Sequence, residues 1–247
     1  STRGCAGASA DLHCRYGRWN TPGHPRVILV NPNTKYDQNK LLYQLWEDYG
    51  VDSMKGEWDY IEPVLYSTAY GEVIEAIYKK IPSEEQKAIA QFHEWMSGAG
   101  MLYIKKHIPD IATVFTTHAT MLGRSLAGNR IDIYSNLESI SPPEMAAKFN
   151  ITAKHSMEAV CARECDCFTT VSEITAREAT HFFNVAPKVI LPNGIHINNI
   201  KIISDKPEEA GKNREILLKF ASTFLQKKLD PSTTRILLIS GRYEFHN

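Results

Sequence analysis

The sequence lacks both an excess of charge and a long apolar run. Its 247 residues contain 28 Lys and Arg against 28 Asp and Glu, so the formal net charge is zero. A neutral chain has no general attraction for phosphate backbones or anionic lipids, and a membrane-spanning helix needs about 20 apolar residues. Nucleic-acid and membrane partners are therefore not expected. The first eleven residues carry no charged-then-apolar signal pattern, so a cytoplasmic location is predicted.

Cysteine is also scarce. An odd number of five, in a long chain without a secretion signal, argues against a disulfide framework. Three of them lie close together, but their spacing lacks the two pairs, or the pair with spaced histidines, that structural zinc requires. We interpret them as small apolar core residues, and no metal is predicted. The five are Cys5, Cys14, Cys161, Cys165 and Cys167.

With 43% hydrophobic residues, the chain has enough apolar material for a core. Short apolar runs alternate with helical patterns, and this alternation predicts an α/β fold with a parallel, doubly wound sheet. The expected strands are Val27–Val30, Ala88–Phe92, Ala112–Thr116, Cys167–Thr170, Lys188–Leu191 and Arg235–Ile239.

Helical periodicity fills the spaces between these runs. Ser172 is a candidate N-cap, with Glu173 in the first turn. Arg15–Pro25 is expected to be irregular, and Gly123–Pro143 is a long loop of a length that usually has a functional reason. The expected helices are Tyr36–Tyr49, Thr68–Lys80, Trp95–His107, Thr152–Glu164, Glu173–Phe183 and Glu208–Leu229.

Polar residues follow several of the expected strands. Ligands of open α/β sheets bind beyond the carboxyl ends of the strands, so these residues are predicted to share one site. Imidazoles and guanidiniums suit an anionic or polyhydroxylated ligand. Each residue alone also has a structural interpretation, since Glu94 could cap the next helix and Asn193-Gly194 is an ordinary turn. The candidates are His93, Glu94, His118, Arg124, Asn193, Gly194, Arg242 and Glu244.

Several common catalytic motifs are missing. There is no P-loop, no G-x-G-x-x-G fingerprint and no serine nucleophile elbow. A bound phosphate would therefore be held by Arg side chains and helix N-termini.

Six motifs follow one another along the chain, and they are YGRW at 16–19, FHEW at 92–95, VFTTHATMLGR at 114–124, CFTTVSEITAREATHF at 167–182, LPNG at 191–194 and SGRYEFHN at 240–247. Their order resembles that of glycogen synthases, more narrowly glycosyltransferase family 3, the eukaryotic-type synthases that also occur in some bacteria. The resemblance extends from about Leu12 to Asn247.

The resemblance implies a GT-B architecture, in which two Rossmann-like domains face each other across a cleft. Residues 1–232 would form the acceptor-side N-terminal domain, incomplete at its start, and 233–247 the first strand of the second domain. The implied reaction transfers glucose from UDP-glucose to the non-reducing 4-hydroxyl of an α-1,4-glucan, with retention and without a metal or other cofactor. Glycogen and UDP-glucose would be the partners, and a full-length homo-oligomer is compatible with this picture.

By the same resemblance, His93 is the active-site histidine near the transferred sugar, and Arg242 of GRYE contacts the donor phosphate. His118, Arg124, Asn193, Gly194 and Glu244 are expected to line the substrate site. The Gly-rich donor loop expected before YGRW is missing, and the chain ends inside the GRYE region. The isolated chain is therefore expected to be an internal fragment with weak activity or none.

Two other interpretations stay open. The chain could be a non-catalytic glucan-binding or interaction module derived from a synthase. It could also be a transferase for another sugar or acceptor, as in sucrose-synthase-like relatives, although the THAT and GRYE motifs argue against this.

Overall fold

The computed structural model describes residues 12–32, 36–82, 84, 87–194 and 207–237. The chain divides into two compact units, residues 1–193 and 194–247. Arg242 and Glu244 lie outside the described residues, as does the end of the expected strand Arg235–Ile239. The domain boundary expected after residue 232 stays a prediction.

The centre of the first unit is a four-stranded parallel sheet. Its strands are β3 (Ile89–His93), β4 (Ala112–Thr117), β5 (Cys167–Thr170) and β6 (Val189–Ile190), and they pair in this order. Phe92, Phe115 and Phe168 lie side by side across β3, β4 and β5, and all three are buried. The parallel, Rossmann-like α/β fold expected from the sequence is thus confirmed.

A separate antiparallel pair precedes this sheet. Strands β1 (His13–Arg18) and β2 (Arg26–Asn31) pair with each other. The expected strand Val27–Val30 is therefore present, but its expected place in the parallel sheet is wrong, and the expected irregular segment Arg15–Pro25 is wrong for its first four residues. The turn between β1 and β2 closes with a hydrogen bond from the Trp19 N–H to the Pro25 carbonyl, and Gly23 has a φ of +85°. An antiparallel pair needs only such a short turn.

Helices cover the parallel sheet. The first unit contains α1 (Gln38–Tyr49), α2 (Trp58–Tyr78), α3 (Gly98–His107), α4 (Met121–Gly128), α5 (Pro142–Lys148), α6 (Thr152–Glu164) and α7 (Glu173–Phe183), with short 3₁₀ turns at Ser53–Lys55, Trp95–Ser97 and Leu137–Ser139. The bounds of α6 and α7 are those expected, and the Ser172 side chain caps α7 by accepting a hydrogen bond from the Thr175 N–H.

Two expectations about helices are wrong. Helix α2 begins ten residues before the expected Thr68, with Pro63 inside it. The expected loop Gly123–Pro143 overlaps α4 and the start of α5. Its apolar residues are core residues, since Leu126, Ile133 and Leu137 are buried in the main hydrophobic core.

The cysteine interpretation is confirmed at Cys161. This side chain is fully buried in the main core, with its Sγ 3.8 Å from the Met157 Sδ. Cys14 is buried in a smaller cluster with Leu12, Ala69 and Val73, where β1 packs against α2.

Apart from Gly194, the described part of the second unit is α8 (Pro207–Phe224) and the segment after it. The Arg214 guanidinium donates hydrogen bonds of 2.7 Å to the carbonyls of Pro231 and Thr234. Helix α8 ends before the expected Leu229, and residues 235–237 of the expected last strand are irregular. Across the described residues, no helix has the length and apolar character of a membrane span.

Candidate functional site

Two histidines meet at the carboxyl ends of adjacent strands. His93 is the last residue of β3, and His118 follows the last residue of β4. Because the strands are parallel neighbours, with His93 opposite Thr116, both side chains reach the same sheet edge. The Nδ1 of His93 lies 2.9 Å from the Nε2 of His118, and the ring centroids are 5.2 Å apart.

This contact restricts the protonation of the pair. At 2.9 Å one of these two nitrogens donates a hydrogen and the other accepts it. A proton is therefore present on the His93 Nδ1 or on the His118 Nε2, but not on both at once. Desolvation, and then the His118 ring, lower the pKa of His93 below its usual value, while Glu94 opposes the shift. His93 therefore favours the neutral imidazole, which can both donate and accept hydrogen bonds.

The backbone between β3 and α3 is strained at Glu94. Its φ of 63° and ψ of 163° fall in a region that is essentially reserved for glycine, and such a conformation costs of order 1–3 kcal/mol. The Glu94 N–H donates to the Thr116 carbonyl at 3.0 Å. The Ser97 hydroxyl donates to the His93 carbonyl at 2.7 Å. These bonds hold the turn that presents the His93 ring.

The Glu94 carboxylate joins the two turns. Its Oε1 accepts a hydrogen bond of 3.0 Å from the His118 N–H and lies 3.7 Å from an Arg124 nitrogen. The capping interpretation of Glu94 is wrong, because its side chain makes no cap hydrogen bond to the helical turn that follows. Instead it fixes the backbone of His118 and places Arg124 beside the histidines.

A buried carboxylate holds the start of α4. Glu158 of α6 is 0% exposed, and its Oε2 accepts a hydrogen bond of 2.8 Å from the Met121 N–H. Its Oε1 has no partner among the described residues. Burial raises the pKa of Glu158 well above its usual value. This burial favours the neutral form of the Glu158 side chain.

A second carboxylate supports the same turn from α7. Glu178 accepts a hydrogen bond of 2.9 Å from the Thr120 hydroxyl and one of 2.7 Å from the Tyr134 hydroxyl. The bond to Glu178, and then burial, raise the pKa of Tyr134 to about 12. A Cβ at Gly123 would lie 2.3 Å from the Glu178 Oε2, so a larger residue there would have to displace the Glu178 carboxylate.

The helix starts at this edge are already capped by the protein. The Met121 N–H of α4 bonds to Glu158, and the Gly123 N–H donates to the Thr120 hydroxyl at 2.9 Å. In α7 the Thr175 N–H bonds to Ser172. These backbone donors are thus engaged, and the Arg124 side chain, 58% exposed, is the positive group that the described part of the site presents.

The structure gathers three of the predicted site residues, His93, His118 and Arg124, around Glu94. Asn193 instead follows β6, and it is exposed. Strands β6 and β3 are the two outermost strands of the sheet, with β4 and β5 between them. Gly194, the next residue, is exposed as well. Arg242 and Glu244 remain predictions, because they lie outside the described residues.

Sequence reasoning missed Glu158 and Glu178, the two carboxylates that hold the α4 turn. Both sit within helical patterns, where a glutamate normally faces solvent. A signal was present at Glu158, since it lies between Met157, Ala159 and Val160. A charged residue in an apolar stretch indicates a buried, hydrogen-bonded group.

Comparison with known proteins identifies a family over nearly the whole chain. The family model described as glycogen synthase matches residues 6–247. A glycogen [starch] synthase of Neurospora crassa is 34% identical over 236 residues, which are 94% of this chain and 33% of that protein. One of Caenorhabditis elegans is 32% identical over 239 residues, covering 96% of this chain and 36% of the relative.

The glycogen [starch] synthase isoform 2 of Saccharomyces cerevisiae is 32% identical over 247 residues, which are 97% of this chain and 34% of the relative. The chain thus spans about a third of the length of these curated relatives.

Proposed function

This chain belongs to the glycogen synthase family, and we propose that it supplies the acceptor-side part of a glucosyltransferase. The proposed reaction moves glucose from UDP-glucose to the non-reducing 4-hydroxyl of an α-1,4-glucan. The observation that carries this proposal is the joint placement of His93 and His118, 2.9 Å apart at the carboxyl ends of adjacent strands.

His93 is proposed to bind the sugar that is transferred. A neutral imidazole donates through one nitrogen and accepts through the other. Because one nitrogen of His93 is engaged by His118, the ring orientation is fixed and the second nitrogen is left for a sugar hydroxyl. His118 therefore acts as the positioning residue for His93, and Glu94 positions His118 in turn through its N–H.

Arg124 is proposed to face the departing diphosphate, and Arg242 of the GRYE motif keeps the donor-phosphate role that the sequence resemblance implies. Loss of UDP develops negative charge on the phosphate oxygens, and a guanidinium aimed at that charge stabilises the transition state. The ion pair of Arg124 with Glu94 is long, at 3.7 Å, and the arginine side chain is 58% exposed, so Arg124 can turn toward a phosphate at little cost. We propose that these arginines serve in place of a metal and that no cofactor is required.

The test is transfer of radiolabelled glucose from UDP-glucose to glycogen by the complete gene product that contains this chain. We expect His93→Gln to lower the rate about 100-fold or more, the size of effect seen when one transition-state hydrogen bond is lost. His107→Gln is the matched control. His107 is an exposed histidine at the end of α3, which lies toward the amino ends of the strands, away from His93. Equal rates for His93→Gln and wild type would contradict the role of His93.

Binding separates this proposal from a non-catalytic glucan module. Isothermal titration of the chain with UDP should show binding that Arg124→Ala weakens and Arg242→Ala abolishes. Binding of maltohexaose without any binding of UDP would instead favour the module.

A further inference from the structure

An open cleft of about 470 Å³ adjoins His93. One wall is a face of α2 with Glu62, Tyr66 and Tyr70, and the other is the turn after β3 with His93 and Met96. Since His93 belongs to both, the cleft is continuous with the candidate site. The α2 wall takes no part in the roles proposed for His93, His118 and Arg124.

The α2 wall is a regular stripe. Glu62, Tyr66 and Tyr70 are spaced four residues apart, so they lie one above the other on one face of the helix. Eight residues of helix rise about 12 Å, which is longer than a single glucosyl unit. Tyr70 is 41% exposed, and Glu62 is exposed as well. The stripe therefore presents aromatic surface and a carboxylate along a path that starts at His93.

The opposite face of α2 is fixed against α3. The Gly100 N–H donates to the Ser67 hydroxyl at 2.6 Å, and a Cβ at Gly100 would lie 2.4 Å from the Ser67 carbonyl oxygen. At Gly71, a Cβ would lie 2.8 Å from the Tyr103 ring. This close packing fixes the stripe against α3 before any ligand binds.

The charge of the cleft selects among ligands. Of the described residues that line it, Glu62 is the one with a formal charge at neutral pH, and Arg124 lies beside Glu94 instead. A carboxylate repels a diphosphate but accepts hydrogen bonds from neutral hydroxyls. Tyrosine rings offer broad apolar faces with a polar edge, which match a sugar ring with its C–H faces and rim of hydroxyls.

We infer that this cleft reads the length of the acceptor glucan, with Tyr66 and Tyr70 packing against successive glucosyl units behind the acceptor end and Glu62 binding their hydroxyls. This inference rests on the proposed function, and it makes α2 the element that distinguishes a long α-1,4-glucan from maltose. Maltose reaches the histidine end of the cleft, whereas a longer chain also covers the tyrosines.

Isothermal titration of the chain with maltohexaose, maltose and UDP tests this inference. Tyr70→Ala should weaken maltohexaose binding about fivefold or more, the size of an aromatic packing contact, and leave UDP and maltose affinities unchanged. Tyr70→Phe retains the ring and should bind like wild type. Tyr43→Ala is the matched control, because Tyr43 is a comparably exposed tyrosine on α1.

The outcomes are distinguishable. Unchanged maltohexaose affinity in Tyr70→Ala, or no binding of maltohexaose by the wild type, overturns the inference. Weaker UDP binding in Tyr70→Ala with unchanged maltohexaose binding overturns it too, because the ring would then stack on the nucleotide base. A chain that binds maltohexaose through Tyr70 in a gene product without transfer activity supports the cleft and refutes the proposed transfer reaction instead.

Discussion

The polar groups at the two ends of β4 differ in how completely they are hydrogen-bonded and in backbone strain. At the amino end, the Asp166 carboxylate accepts hydrogen bonds from the Thr113 N–H at 2.7 Å and hydroxyl at 2.8 Å, and from Lys105 at 2.9 Å. At the carboxyl end, Glu94 has a strained backbone and the fully buried Glu158 has an oxygen without a partner among the described residues. The Asp166 carboxylate at the amino end has hydrogen-bond partners, whereas the carboxyl end has a strained residue and a buried oxygen without a partner among the described residues.

This difference indicates which end carries function. Unsatisfied and strained groups cost free energy, and natural proteins retain them mainly where activity requires them. The histidine pair, Arg124 and the three glutamates all belong to the carboxyl end. Substitutions at the amino end should therefore change stability without changing binding, and those at the carboxyl end should change binding or the transfer rate.

The largest expected effect comes from His155, a buried group whose Nδ1 also lacks a partner in the described part of the chain. Burial lowers its pKa from 6.5 to about 4. The unfolded chain then binds a proton between these values and the folded chain does not, so stability falls as the pH drops from about 6.5 to 4. The loss at pH 4 is about 3 kcal/mol. Urea unfolding at several pH values should show this slope, and His155→Leu should remove it.

Asp166 provides the contrast on the same measurement. Although burial opposes the shift, its hydrogen bonds to Thr113 and Lys105 lower its pKa to about 2. Its stabilising contribution is present above about pH 4 and is lost only as the pH falls toward 2. Asp166→Asn should therefore leave the slope between pH 6.5 and 4 intact. A flattened slope in that window would contradict the assignment to His155.

The next effect is expected for Asp166→Ala at neutral pH. This change leaves the buried Thr113 N–H without its acceptor, which costs about 2 kcal/mol. Urea unfolding should show the loss, while maltohexaose and UDP affinities stay at wild-type values. Lys105→Ala removes only the exposed ion pair and should cost under about 1 kcal/mol. A loss of ligand binding in folded Asp166→Ala would break the distinction between the two ends.

The smallest effect concerns the strain at Glu94. Both Glu94→Gly and Glu94→Ala remove the carboxylate that holds His118, so both should lower the transfer rate. Glycine accepts the backbone conformation and alanine does not, so the glycine variant should be the more stable by about 1 kcal/mol. Thermal unfolding of the pair measures this difference. Equal stability of the two variants would show that the turn is not strained.

Much of this fold was predictable because strands buried on both faces appear as short apolar runs. The parallel strands β3 and β4 were located from that signal, and their carboxyl ends identified His93 and His118. The antiparallel pairing of β1 with β2 was not, because a Gly- and Pro-containing segment such as Arg15–Pro25 is typical of loops as well. The start of α2 was missed because Pro63 is a helix-breaking residue in sequence terms.

The site was predictable only for side chains that directly follow strands. Glu158 and Glu178 act from the middle of helices, and their contacts with the α4 turn depend on tertiary packing that no local pattern encodes. The tyrosine stripe of α2 was missed for the related reason that its first two members, Glu62 and Tyr66, lie before the expected start of that helix.

The close packing of α2 on α3 also divides this helix into a face that tolerates change and one that does not. Gly71 and Gly100 cannot gain even a methyl group without displacing their neighbours, whereas Glu62 and Tyr70 face the open cleft. During evolution the residues of the stripe can therefore be replaced one at a time, which would change the acceptor preference. The packing of α2 on α3 would stay the same.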